Sequence, residues 1–549
     1  MRCARSYAVL LAAGVLLSTA GCNKEGIYFG KIDPPTENEF RFNNETEPEY
    51  IDPGLLTGQP DDRIASMLFE GLTTKHPKTL EALPGVAERW EISADGLTYI
   101  FHLRRDARWT DGRPVTAPDF VYSWTRVLDP RTAARFASQL YHIANGEEFN
   151  QGRISDPGRL GVKALDNHTL LVQLRQPVSF FLYLTSHATL YPVPRERVEQ
   201  YGADWTAPGN IVGNGAFRLV EHRTHDRFVL ERNPLYWDAK NVRLQRIVAY
   251  SIDDSYTASN MYESGRIDWV AGSLPPEYIS YMRGRFRDFQ SDPFLATYYY
   301  SYNVTRPPFN NPLVRRALAM AVDRRAITDE LLRGGQIPTA HFIPVGFPDY
   351  HSPAGPEYDP QQAARLLAEA GYPNGEGFPP VSIFFNTLDL HQKTAESIQQ
   401  MWTKNLNIRV SLRSEEWASF LKSRSNLEFD IARNGWIADY PDPTAFAELL
   451  QSTNENNDTG WSNPEYDRLL ALSRGETDPL QRFGLLQKAE AIVLRELPVL
   501  PLYTYARDML IKPYVRGIYA TSLDMHPLNS VCIDRKWRER GASENGACD

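Results

Sequence analysis

The chain has 549 residues, 42% of them hydrophobic and 12% aromatic. That is too long for one hydrophobic core and apolar enough for about three globular domains. The formal net charge of −9 comes from scattered acids and argues against a nucleic-acid partner, which calls for a basic face.

Arg2 and Arg5 precede a ten-residue apolar run, Ala8 to Leu17, and then Leu17-Ser-Thr-Ala-Gly-Cys22. A charged start followed by a short apolar stretch is the order of a secretory leader, here 1–21, and is too short to span a bilayer as a stable helix. The end of the run looks like a bacterial lipobox with Cys22 as the lipid-bearing residue. Thr19 stands where that pattern prefers an aliphatic residue, and ordinary cleavage with Cys22 left free is the alternative. Residues 23 to about 36 read as a polar tether.

Arg41 to Pro53 reads as an opening strand and turn, and Ser66 to Leu72 as an apolar helical turn. After the Asp95-Gly96 turn, Leu97, Tyr99, Phe101 and Leu103 alternate with polar positions, the pattern of a half-buried strand. Thr116 and Pro118 open a helix that carries Phe120, Val121 and Trp124. Strands follow at Asn214 to Leu219 and from Val229, where Arg232 and Trp237 read as packing braces rather than ligand contacts. From Asn311 the pattern alternates helix and strand. Helices start at Asn311-Pro and at Asp359-Pro, the latter stopped by Gly371. A strand at Val381 to Asn386, a helix at Gln392 to Lys404, a strand through Ile408, Val410 and Leu412, and a helix at Trp417 to Arg424 come next.

The most informative stretch is Glu428-Phe-Asp-Ile-Ala-Arg-Asn-Gly-Trp-Ile-Ala-Asp439-Tyr-Pro-Asp-Pro-Thr-Ala-Phe446. Glu428 to Arg433 alternates as a strand, which Gly435, Pro441 and Pro443 are expected to end in a loop. The loop tip is aromatic and acidic: Trp436, Asp439, Tyr440 and Asp442. A carboxylate beside an indole suits the holding of a cation away from water. For an isolated Asp-Tyr-Pro, a turn-capping acid is the plainer reading.

This run, with the block from Gly85 to Trp124 and those around Asn214 and Val229, resembles the oligopeptide-binding proteins of bacterial ABC importers (solute-binding protein family 5, OppA type). The resemblance implies an α/β, two-lobed periplasmic-binding-protein fold (type II, cluster C) with mixed sheets and an extra inserted domain. Domain I would comprise 23–69, 195–295 and 507–549, domain II 70–194, and domain III 296–506, with a hinge at the crossings near 295 and 506. It implies a monomeric receptor in the periplasm, without cofactor or metal. A lipid anchor would hold it to the membrane. It would bind short peptides and dock on an inner-membrane permease with its cytoplasmic ATPases. In an oxidising periplasm Cys532 and Cys548, with 15 residues between them, are expected to close a loop; two free thiols are the alternative.

By the same resemblance Asp439 takes the peptide α-ammonium. Arg433, Arg424 and His391 match basic residues of the family's pocket and are candidates for the peptide carboxylate. Gly435 belongs to the motif. Tyr299, Trp417, Trp436 and Phe136 would wall the pocket, Phe136 where relatives often carry Tyr. Thr57 and Ser301 stand where some members place Glu, which implies a pocket less suited to basic side chains. Gln59 replaces an aliphatic residue whose backbone pairs with peptide. Ala296 and Ile437 stand where some relatives have a Cys pair.

The competing class is a secreted hydrolase, but the chain has no Gly-x-Ser-x-Gly, no His-Glu-x-x-His and no Gly-rich Lys loop. Within the receptor class, a dipeptide, a murein peptide, a metal chelate or a signalling peptide are the alternative ligands.

Overall fold

The computed structural model describes residues 27–540 except 179, 272–273, 348 and 477. The leader at 1–21, the lipid candidate Cys22 and the disulfide candidate Cys548 lie outside the described residues. Cys532 is disulfide-bonded.

One eleven-stranded mixed sheet organises the molecule. Its centre is a pair of long antiparallel strands, Phe289–Tyr302 and Val499–Ile511. On one side lie Ile431–Ile437, Val381–Asn386 and Val410–Glu415 in that order, the last two parallel to each other. On the other lie Trp269–Val270, Glu39–Asn43, Arg246–Tyr250, Arg227–Arg232 and Phe217–Arg223. The short strand Ile337–Pro338 adds to Val499–Ile511. The ladder between the two long strands is interrupted between Pro293 and Thr297, since a proline cannot donate to it.

A second sheet of four antiparallel strands is built from Ala87–Ile92, Thr98–Leu103, Thr169–Gln173 and Val162–Asp166. The expected alternation holds: Tyr99, Phe101 and Leu103 are buried and their neighbours are not. Helix Ala117–Leu128 packs against this sheet, opened by a reciprocal cap in which the Asp119 carboxylate accepts the Thr116 N–H (2.7 Å) and hydroxyl (2.9 Å). Two elements differ from the expectation. The first helix runs Gln59–Leu68 and stops there, because the next residues must pass close to another segment; a Cβ on Gly71 would lie 2.4 Å from the Thr185 carbonyl. The strand expected to end at Gly435 continues through it to Ile437, since Tyr298 pairs with Gly435 and Ala296 with Ile437.

Tyr298, Tyr300 and Tyr302 point into the core of the lobe that holds Val381–Asn386, while Tyr299 faces the other way, as strand alternation requires. Buried charge ties the other lobe. Asp268, fully buried, accepts the Arg41 N–H (2.8 Å), its Nε (3.1 Å) and Nη2 (2.7 Å), and the Tyr514 hydroxyl (2.7 Å). The first described residues are held similarly. The Phe29 N–H donates to the Asp288 carboxylate (3.1 Å) and its carbonyl accepts from Lys512 Nζ (3.0 Å). Burial pulls the Lys512 ammonium down to about 8, against the opposing pull of Asp288 and Asp268. Trp237 is the brace it was expected to be, donating from Nε1 to buried Glu70 (2.7 Å) with the Arg104 guanidinium on its ring. Arg232 is not; it is half-buried, with one long contact to the Val242 carbonyl (3.5 Å).

Removing the Asp268 carboxylate strands the Arg41 guanidinium in a mostly buried site, a loss of about 3 kcal/mol. Asp268→Ala is therefore expected to lower the first calorimetric unfolding midpoint by several degrees, and an unchanged midpoint would refute this account of the lobe.

Candidate ligand-binding site

A cavity of about 320 Å3 lies between the lobes, and all eleven sequence-predicted residues line it: Asp439, Arg433, Gly435, Trp436, Trp417, Arg424, His391, Tyr299, Phe136, Thr57 and Gln59. They come from six separated parts of the chain, brought together around the central sheet. Strand Ile431–Ile437 delivers Arg433 and Gly435 from within the sheet, and Asp439 just past its end. Helix Trp417–Ser425 delivers Trp417 and Arg424, and helix Asp389–Leu406 delivers His391 from its first turn.

Asp439 is held from across the cleft. Its Oδ2 accepts from Gln139 Nε2 (2.8 Å), its Oδ1 lies 3.6 Å from His187 Nε2, and its side chain keeps 12% exposure. The Ala438 N–H bonds the Leu295 carbonyl (2.9 Å) and Trp436 Nε1 bonds the Ala445 carbonyl (2.8 Å), which fixes the loop on both sides of the acid. The Trp436 ring sits 5.8 Å from Phe136. The expected four-residue tip divides. Tyr440 is buried, stacked on Phe180 at 3.8 Å. Asp442 is also buried, paired with Arg482 and capping Thr444 (3.0 Å). Of the four, Trp436 and Asp439 line the cavity.

The three candidate cations differ. Arg433 donates from Nη2 to the Tyr505 hydroxyl (2.7 Å) and lies over the Tyr298 ring (5.1 Å). It has no carboxylate partner among the described residues, and its Nε has no hydrogen-bond partner there. Arg424 is already committed, with Nε on Asp458 (2.9 Å) and Nη1 on Asn434 (2.9 Å). Burial lowers its pKa against the pull of Asp458. It is a structural ion pair rather than a spare cation. His391 is not a cation at neutral pH. Burial first, and the Arg433 guanidinium second, hold it well below its ordinary range. Its Nδ1 lies 3.2 Å from the Tyr298 hydroxyl. Gly435 matters for the space it leaves, since a Cβ there would lie 2.6 Å from the Tyr505 hydroxyl that orients Arg433.

The remaining wall carries acids that are mostly engaged within it. Thr57 does stand at the cavity, but its hydroxyl sits between the Glu49 (3.2 Å) and Asp61 (3.4 Å) carboxylates. Burial raises both acids, Asp61 to about 7. Gln59 bridges Asp524 (2.9 Å) and Arg507 (2.7 Å), so its side chain is engaged within the wall. Glu45, Asp62, Asp508 and Asp524 also line the cavity. Glu45 is paired with Arg63 (2.9 Å) and Asp524 with Arg507, and burial raises the Asp508 carboxyl to about 7, so these acids are largely engaged within the wall. Ser301 is buried behind Asn434 (3.3 Å) and lines nothing. Trp417 closes against Gly58 from the opposite lobe (a Cβ there would be 2.8 Å from its ring), and its Nε1 has no partner among the described residues.

The cleft is shut by contacts that no motif announces. Arg135 donates to both oxygens of Asp458 (2.9 and 3.0 Å), and Asn456 Nδ2 donates to the Arg135 carbonyl (2.6 Å). Glu455 Oε1 accepts both the Ser138 N–H and its hydroxyl (3.0 Å each). Gln139, which holds Asp439, belongs to the same segment as Arg135 and Ser138. These are ordinary polar residues some 320 positions away from their partners, and their only sequence hint is adjacency to Phe136.

Two lobes joined through one sheet, with a charged cavity between them, define a periplasmic-binding-protein fold. The model of the bacterial extracellular solute-binding proteins, family 5, matches residues 81–458, and the chain belongs to that family. It is 39% identical over 491 residues to the periplasmic oligopeptide-binding protein OppA of Escherichia coli K12, covering 86% of this chain and 88% of that one. Haemophilus influenzae OppA in complex with RPPGFSPFR superposes with a TM-score of 0.88 at 35% identity, over 91% of this chain and 100% of that chain. The Escherichia coli murein tripeptide binding protein MppA gives 0.87 at 35% identity, over 92% and 99%. The unliganded open form of MppA gives only 0.62 at the same identity, over 91% and 98%. The arrangement here is thus far from that open form and near the peptide complex.

Burial raises the Glu455 carboxyl from 4.5 to about 7. An open cleft would return it toward the ordinary range, so closing takes up a proton between those values. The closed state gains most at low pH and loses that gain as pH rises through 7. Ligand affinity is expected to fall several-fold between roughly pH 5 and 8, and Glu455→Gln to flatten the profile. Calorimetric titrations across pH that show the same profile in both proteins would overturn this role.

Proposed function

We propose that this chain is the lipid-anchored receptor of a peptide ABC importer, enclosing short peptides and delivering them to an inner-membrane permease. It works by binding, not catalysis. The observation that carries the reading is the pairing of an enclosed carboxylate, Asp439, with a cation that has no acid partner among the described residues, Arg433, along one wall of one cavity. A peptide in extended form offers the complement: an ammonium, a carboxylate and a backbone that can pair with strand edges whatever the side chains. The tyrosine and tryptophan walls then accept varied side chains.

Domains I (23–69, 195–295, 507–549) and II (70–194) move as one body in this reading, and domain III (296–506) closes on them about the two long strands. The interruption between Pro293 and Thr297 is the natural place for the strands to bend. Closure completes the Asp439 site, because Gln139 belongs to domain II and Asp439 to domain III. Ligand thereby shifts the molecule toward the shut form through contacts that only that form makes. Among relatives, one structure holds the peptide RPPGFSPFR and another is of a murein tripeptide binding protein; most acids of the lining here are already engaged, Glu45 by Arg63 (2.9 Å) and Asp524 by Arg507.

Asp439→Ala is expected to weaken binding of a matched tripeptide about a hundredfold or more, since an ammonium buried without its partner costs roughly 3–5 kcal/mol. N-acetylation of the peptide should do the same to the unaltered protein. Calorimetry showing less than a tenfold loss for both changes would sink the assignment.

A further inference from the structure

A second hollow, of about 450 Å3, shares no wall residue with the cleft. Five cations converge on it. Arg232 ends the strand Arg227–Arg232, Lys240 and Arg243 stand on the loop that follows, and Arg535 and Lys536 follow the strand Cys532–Ile533. None of the five has a carboxylate partner among the described residues. Arg232 and Arg535 reach only carbonyls, Arg232 that of Val242 (3.5 Å) and Arg535 those of Pro35 (3.3 Å) and Thr36 (2.7 Å). The one acid in the lining, Asp534, is buried and already engaged by Arg516 (3.4 Å) and by the Lys536 N–H (3.0 Å).

This is an unusual local balance for a chain of net charge −9. Like charges gathered around one concavity raise the local positive potential, which an anion lodged among them would lower. Three of the five are arginines, whose planar forks match the oxygens of a phosphate better than a lone carboxylate point contact. Asn38 and Gln245 add amide donors to the wall. We propose that this hollow is a binding site for a phosphate-class anion, separate from the cleft.

Its place in the fold names the two sources of such an anion. Arg535 grips the backbone at residues 35 and 36, and Arg538 pairs with Asp33 (3.3 Å), so the hollow lies beside the first described stretch of the chain. Phe29 is pinned to the same lobe. With a lipid on Cys22, a part of the proposed function on which this step rests, the seven or so residues to Phe29 span at most roughly 25 Å. That leash would hold this face near anionic headgroups, whose phosphates are one source; free phosphate is the other.

The test uses the full chain and the double variant Lys240→Glu with Arg243→Glu. Inorganic phosphate is titrated by calorimetry, and vesicles of phosphatidylglycerol are compared with vesicles of phosphatidylcholine by co-sedimentation, so that any contribution of the anchor cancels in the difference. The expected result is binding in one arm or both, weakened about tenfold or more by the double variant, with peptide affinity unchanged. Phosphate binding without a phosphatidylglycerol preference assigns the site to free anion; the preference without phosphate binding assigns it to headgroups. A control, Arg159→Glu with Lys163→Glu, carries the same charge change on exposed positions in and just before the strand Val162–Asp166 of the other sheet. The proposal falls if neither arm shows binding, or if the control weakens it equally. Failure here leaves the Asp439 titration untouched, so the two readings are separable.

Discussion

The site depends on how one carboxylate is aimed in a space that is closing around it. Asp439 stands just past the end of a strand, and no helix dipole or partner arginine neutralises it among the described residues. Its hydrogen bond comes from a neutral amide, Gln139, reaching from a segment 300 positions earlier, and the His187 ring stands 3.6 Å from its other oxygen. A neutral donor orients an acid without cancelling it, which leaves the charge available for a ligand. The neighbouring acid Asp442 shows the alternative, since its arginine partner Arg482 has made it purely structural. Two carboxylates three residues apart thus have opposite uses, decided by what folds against them.

The same logic sorts the cations. Arg424 and Arg135 share Asp458 and are consumed in joining segments. Arg433 is surrounded by tyrosines, whose hydroxyls and ring faces stabilise a guanidinium while leaving its charge uncompensated. Gly435 is needed so that Tyr505 can do this. The cleft therefore keeps one uncompensated charge of each sign along one strand and its continuation, and neutralises most of the rest internally.

Much of this was legible in the sequence, and the limits have physical causes. The alternating strands were legible because strand periodicity and turn chemistry are local, while the residues of the cavity wall were implied by the resemblance that the Gly-Trp-x-Ala-Asp-Tyr run carries. All eleven named residues reach that wall. Their protonation and pairing were not legible. His391 looks like a cation until burial beside Arg433 is known, and Arg424 looks free until Asp458 folds against it. Thr57 looks like the loss of an acid until Glu49 and Asp61 are seen behind it. Gly435 looked like a terminator because glycine weakens strands in isolation, yet two neighbouring strands pair through it. Ser138, Gln139 and Glu455 carry no pattern at all; their roles arise from contacts between distant segments.

The clamp on Phe29 has a mechanical corollary. Lys512, which grips that residue's carbonyl, directly follows the long strand Val499–Ile511, and Asp288, which grips its N–H, directly precedes the long strand Phe289–Tyr302. Were the molecule moored at Cys22 as proposed, any pull on the tether that follows would be delivered to the roots of both struts that cross between the lobes. The lobe nearest the mooring would be steadied while the far one stayed at liberty to swing, so the jaw that moves would be the one presented away from the point of attachment.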